Sequence, residues 1–153
     1  MSAVHHVVLP VRWSDQDLNG HVNNARVVTL IEEARISAIT SWLGEDGIPD
    51  PARPRVVVSL TVDYLRPLDH GPELTARVWV AAIGRSSYTV DYELVQYDEI
   101  AVRARTVLVQ TDPASGRSAP LPERLSRTLT QILTPESKPV PPGAEPGAST
   151  EQQ

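Results

Sequence analysis

Asp15, Asp17, Asn19, Gly20, His21, Asn23 and Asn24 fall within ten consecutive positions. A carboxylate just ahead of a helix can serve as a general base or as a nucleophile. The first turn of that helix carries N–H groups without intrahelical partners. Such donors polarise a carbonyl oxygen as charge develops on it, and the positive end of the helix favours an anion. These are the parts of an acyl-transfer site. Asp17 is the candidate carboxylate, and the amides of Asn23, Asn24 and Ala25 are the candidate oxyanion donors. Gly20 would let the backbone approach an acyl group closely. His21 could orient water or donate to the carbonyl, and Asn19 could position the water or the carboxylate. The same residue types also make caps and Asx-turns, and spacing alone does not separate the two readings. Asp15 reads as a turn residue.

The elements around this loop follow from periodicity. Residues 4–13 are rich in β-formers, and Pro10 makes that strand short or places it at an edge. From Asn24 to Leu43, Val27, Ile31, Ala34, Ala38 and Trp42 recur at helical steps, and Val28, Leu30, Ile39 and Leu43 widen the apolar face. Such a helix is expected to be largely enclosed. Asn23 or Asn24 is the expected N-cap and Gly44 the C-cap. Four alternating stretches follow, near residues 56–65, 74–82, 88–94 and 102–108, separated by turn signals. A short helix is expected over 122–133. One strand, one long helix and four strands give an α+β chain, with an antiparallel sheet of about five strands joined by hairpins and wrapped around one central helix. The covered domain spans residues 1–134, and the Pro-, Gly- and Ser-rich residues 135–153 read as a disordered tail.

With Glu32, Glu33, Ala34 and Arg35 downstream, the segment Asp15-x-Asp17-x-x-Gly20-His21-Val22-Asn23-Asn24 resembles hotdog-fold acyl-CoA thioesterases of the 4-hydroxybenzoyl-CoA thioesterase type. The run from Asp17 through Asn19 and His21 to Asn24 is also similar to acyl-ACP thioesterases. The resemblance implies that Asp17, Asn19 and His21 form the catalytic group. It also implies that Gly84, Arg85, Ser86 and Ser87 lie near the nucleotide end of CoA, where Arg suits phosphate. Trp13 and the pair Val27-Val28 stand where such enzymes commonly carry other aromatic residues, which bears on acyl-chain preference. A different branch uses a helix carboxylate, which makes Glu33 the second candidate. Arg55, Arg66, Arg103 and Arg105 are further candidates for a phosphate patch. Arg35, among apolar helix neighbours, reads as one half of a buried pair or subunit contact.

A formal net charge of -5 argues against non-specific nucleic-acid binding. With no Cys, a thiolate nucleophile, a disulfide and a Cys-type zinc site are excluded. His5 and His6 lack a partner at ligand spacing, so neither a metal nor another cofactor is expected. No apolar run is long enough to span a membrane, and residues 1–8 lack a secretory pattern, so the expected compartment is the cytoplasm. A sheet covered by one helix on one face predicts a homodimer or homotetramer. The expected partner is an acyl-CoA or acyl-ACP substrate. A non-catalytic acyl-CoA-binding protein on the same fold is the alternative. A hotdog dehydratase or hydratase ranks last, because no second His–acid cluster is present.

Overall fold

The computed structural model describes residues 3–47 and 50–135; the tail from residue 136 onward lies outside them. The strands are β1 (His5–Leu9), β2 (Arg55–Tyr64), β3 (Leu74–Ile83), β4 (Ser87–Gln96) and β5 (Glu99–Gln110). Helix α1 spans Asn24–Leu43 and α2 spans Glu123–Gln131. The sheet is antiparallel throughout, in the order β1-β3-β4-β5-β2. The long helix lies across one face, so the fold is the α+β hotdog arrangement.

Helix α1 forms where the period placed it. Its buried residues are Val27, Leu30, Ile31, Ala34, Arg35, Ala38, Ile39, Trp42 and Leu43. Among them only Arg35 is charged, and its guanidinium pairs with Glu32 at 3.1 Å. Gly44 ends the helix at φ 53°, a left-handed value that glycine reaches without steric cost. Under the helix, the fully enclosed Tyr92 shares a 2.8 Å hydroxyl contact with Thr106, and burial pushes its phenol up to about 12.

Two features depart from the expectation. The first is the hairpin order. β3–β4 and β4–β5 are hairpins, but β2 does not pair with β3; it pairs with β5 at the far edge. The connection, residues 65–73, carries two prolines and buries Leu68, so it crosses the end of the sheet instead of turning back. The second is β2 itself. Alternation puts Val56, Val58, Leu60, Val62 and Tyr64 on one face. The register with β5 shifts between Val57 and Ser59, so Val58 is bulged out and Val57 joins Leu60, Val62 and Tyr64 on the helix side. A bulge adds one residue, and strict alternation fails across it.

β1 is an edge strand ended by Pro10, as expected. Beyond its reach the edge of β3 is met by the segment after α2, where Leu133 bridges Val80 and the Thr134 N–H donates to the Val80 carbonyl at 2.8 Å. α2 buries Leu125 and Leu129 against the core. No described helix is long and apolar enough to cross a membrane.

Candidate active site

The loop between β1 and α1 is closed by local hydrogen bonds. The Asp17 N–H donates to the His21 carbonyl and the Gly20 N–H to the Asp17 carbonyl, both at 3.0 Å. Gly20 sits at φ 76°, and an added Cβ would meet nothing within 4 Å among the described residues. Its requirement here is therefore the positive φ, not close packing. Gly20→Ala should cost about 1–2 kcal/mol through backbone strain alone, read as a shift in the urea midpoint with no steric disruption of the loop.

Both Asp17 oxygens are held. Oδ1 accepts from the Asn19 N–H at 2.9 Å, and Oδ2 accepts from the Asn23 side-chain amide at 3.1 Å. Asn23 is also the N-cap of α1: its Oδ1 accepts from the Ala25 N–H at 2.9 Å. One side chain thus starts the helix and aims the carboxylate. Each carboxylate oxygen keeps a lone pair for a substrate or water.

The oxyanion donors reduce from three to one. The Asn23 N–H is taken by the Asp15 carbonyl at 2.8 Å, and the Ala25 N–H by Asn23. Among the described residues only the Asn24 N–H of this set has no partner. Its carbonyl is clamped by the Tyr64 hydroxyl at 2.9 Å, which fixes the peptide beside it. Asn19 contributes its backbone N–H to Asp17, so its placement of the carboxylate runs through the main chain.

Asp15 is structural. It is buried, and it accepts from the Arg12 N–H at 2.9 Å and from the Arg12 guanidinium at 3.0 Å. The Arg12 backbone bond, opposed by burial and helped by the guanidinium, holds its carboxyl below the usual 3.8. A carboxylate with a depressed folded-state pKa stabilises the fold above the unfolded value, and the stabilisation is lost as pH falls through the folded value. Asp15→Ala should therefore lower stability by about 1–3 kcal/mol near neutral pH. In urea titrations the gap to the wild type should close as pH drops below 3.8.

Asp17, Asn19, His21, Asn24, Tyr64 and Leu68 line part of a cleft of about 320 Å³ at this end of the sheet. That volume is in the range of small-molecule sites. A family model described as the Thioesterase-like superfamily matches residues 11–129. The chain belongs to that superfamily. It is similar to a 1,4-dihydroxy-2-naphthoyl-CoA hydrolase of Synechococcus elongatus, with 29% identity over 78% of this chain and 90% of the relative. Among solved structures it resembles a thioesterase from Thermus thermophilus complexed with coenzyme A and Zn, at TM-score 0.74 and 34% identity, covering 86% of this chain and 94% of that one. A thioesterase described as predicted, from Bacillus stearothermophilus, shares the fold at TM-score 0.76 and 24% identity, covering 86% and 97%.

In this thioesterase-like chain the expected residues do not all converge. Arg85, Ser86 and Ser87 lie at the β3–β4 turn, whereas the Asp17 loop follows the opposite end of β3, where Leu9 pairs with Leu74. Ten strand residues separate the two ends, about 33 Å. Within one protomer they cannot hold one thioester. The phosphate patch does not form either. Arg103 and Arg105 lie on the outer sheet face with Glu93 and Asp91 at 3.6 and 2.7 Å, and Arg55 donates to the Asp46 carbonyl at 2.9 Å. Arg66 alone of the four lines the cleft, paired with Glu99 at 2.6 Å. Glu33 is exposed on α1 and does not line the cleft.

Sequence reasoning missed Tyr64, Asp69, Gln96 and Tyr97. His21 Nδ1 lies 3.1 Å from Asp69 Oδ1, and the Tyr97 hydroxyl donates to Asp69 Oδ2 at 2.9 Å. Asp69 itself is fixed by Gln96, whose Oε1 accepts from the Asp69 N–H and whose Nε2 donates to the Asp69 carbonyl. The bond from Tyr97 to Asp69 raises the phenol above its usual value. The available signal was Gln96, a polar residue that continues the phase of Tyr88, Val90, Tyr92 and Leu94.

Proposed function

We propose that the protein is an acyl-CoA thioesterase that hydrolyses its substrate to the free acid and CoA. Asp17 acts as general base or nucleophile, and the Asn24 N–H takes the carbonyl oxygen. The observation that carries this reading is Asn23, whose side chain caps α1 and holds Asp17 beside the open Asn24 amide. Asp17 and Asn24 both line the cleft, so a carboxylate and an open N–H donor are available to one bound thioester, the parts acyl transfer needs. The relative named for 1,4-dihydroxy-2-naphthoyl-CoA makes an aromatic acyl-CoA the first substrate to try.

The working unit is a homodimer in this reading. Val57, Leu60 and Tyr64 are about 40% exposed on the helix-side face of β2, and among the described residues no strand pairs with its outer edge. Pairing two β2 edges antiparallel sets the Tyr64 end of one strand against the Arg55 end of the other. That brings the Arg85–Ser87 end of one sheet towards the Asp17 cleft of its partner, which gives Arg85 a route to the substrate phosphates.

The test is thiol release from aromatic, short and long acyl-CoAs, with CoA-ester binding measured in parallel by calorimetry. Turnover of at least one ester supports the proposal. Binding without turnover across the panel assigns the chain to the non-catalytic alternative. Activity confined to acyl-ACP would move the substrate to the carrier protein.

A further inference from the structure

We infer that Asp69 is a positioning residue that fixes the tautomer of His21 and so makes Nε2 a proton acceptor in the cleft. The inference deepens the thioesterase reading and rests on it for its catalytic part. His21 lines the cleft and Asp69 does not. The ring edge that carries Nδ1 is turned to Asp69 at 3.1 Å. The opposite edge, with Nε2, therefore faces the cleft, and it has no partner among the described residues.

A carboxylate only accepts, so the proton of a neutral imidazole belongs on Nδ1 and Nε2 is left bare. Free histidine favours the other tautomer, with the proton on Nε2. The carboxylate is held by a second side chain, and its backbone by a third. Tyr97 occupies its second oxygen at 2.9 Å, and Gln96, 3% exposed, grips the Asp69 N–H and carbonyl at 2.9 and 3.0 Å. Tyr97 reaches Asp69 from a turn in which it and Asp98 adopt φ 55° and 57°. Positive φ is uncommon for a bulky side chain, and this placement brings the phenol to Asp69.

The proton balance of hydrolysis gives Nε2 its task. With Asp17 as the nucleophile, its oxygen bonds to the carbonyl carbon, the C–S bond breaks and its electron pair leaves on sulfur. Water then adds to the acyl carbon, its proton passes to Nε2, and the bond to Asp17 breaks. The imidazolium, facing Asp69, hands that proton to the thiolate. Water and thioester become acid and thiol, and both residues return to their starting states.

The test reads the tautomer directly, by long-range ¹H–¹⁵N correlation of the imidazoles. The chain has four histidines, and His21→Gln assigns the resonance of interest. In the wild type the neutral His21 ring should show a protonated Nδ1 and a bare Nε2. Asp69→Ala should move it to the Nε2–H form and lower kcat by about 10²-fold with little change in KM. Asp69→Asn keeps its amide oxygen on the Tyr97 hydroxyl and turns its NH2 to Nδ1, so it should also hold the ring in the Nε2–H form without removing the side chain. An unchanged urea midpoint in Asp69→Ala excludes mere unfolding. A wild-type ring protonated on Nε2, or a tautomer indifferent to Asp69→Ala, overturns the inference. An Asp69-dependent tautomer in a protein inert to every acyl-CoA would keep the positioning role and reject the thioesterase reading.

Discussion

Asp17→Asn should reduce thiol release by about 10²–10⁴-fold, the usual contribution of a positioned acid–base group. KM should change little, because in the proposed mechanism the carboxylate meets the reacting carbon and not the CoA body. The substitution has a structural cost of its own. Asp17 accepts from both the Asn19 N–H and the Asn23 amide, and an asparagine offers one acceptor oxygen where the aspartate offered two. One donor loses its partner, worth about 1 kcal/mol net. That is under tenfold in rate if it fell entirely on the barrier. A loss of 10²-fold or more is therefore chemistry, and a loss of a few-fold is loop perturbation. Steady-state kinetics beside a urea titration separates the two. A variant with near-wild-type kcat would move the reactive group away from Asp17.

Leu60→Glu should convert the protein from a dimer of about twice 16.7 kDa to a monomer. Leu60 lies opposite Thr106 on the helix-side face of β2, 39% exposed in the protomer. Neither helix packs extensively on β2: α1 contacts β1 and β3, and α2 contacts β3. Covering the still-exposed two-fifths of one leucine contributes about 0.6–1.2 kcal/mol, and a two-fold interface counts it twice. Replacing it with a carboxylate forfeits that burial and adds two unpaired charges. Association should weaken by about 10- to 50-fold on the apolar term alone, and further through the buried charges. Light scattering coupled to size exclusion reads the mass. Activity should fall with it, because in the proposed dimer Arg85 comes to the cleft from the second copy. A wild type that stays monomeric at micromolar concentration rejects the dimer.

The parts that were legible in the sequence are those set by near neighbours. Helix α1 begins and ends where Asn23 and Gly44 predicted, since cap and period are local. Asp17 and Asn19 were grouped from the sequence with His21, and the bond joining the first two spans only two residues; that the Asn23 side chain also holds Asp17, six residues away, was not read. The oxyanion set was overcounted. A first turn has several open amides in isolation, and only the folded loop shows that Asp15 and Asn23 occupy two of them. Asp69 stood in a turn between two prolines and looked like any loop aspartate. Its partner His21 is 48 residues away and Tyr97 is 28, separations that no periodicity spans. The face of β2 was misread past Val58, since a bulge leaves no mark on residue types.

The strand order also sets when each part of the site can exist during synthesis. β1 needs β3, and β2 needs β5, so both N-terminal strands wait for chain made later. The Asp17 loop leaves the ribosome early, yet its tie to Leu68 and the Asp69 brace come from residues 65–73, and Tyr97 comes later still. The two tight hairpins, β3–β4 and β4–β5, can close as soon as they emerge, because their contacts are short in sequence. The growing chain therefore builds its sheet from the middle outward, and the reactive loop is the last thing it finishes. Until β5 is out, α1 has no complete sheet to cover its apolar face, and that is the interval in which a nascent chain of this order depends most on chaperone shielding.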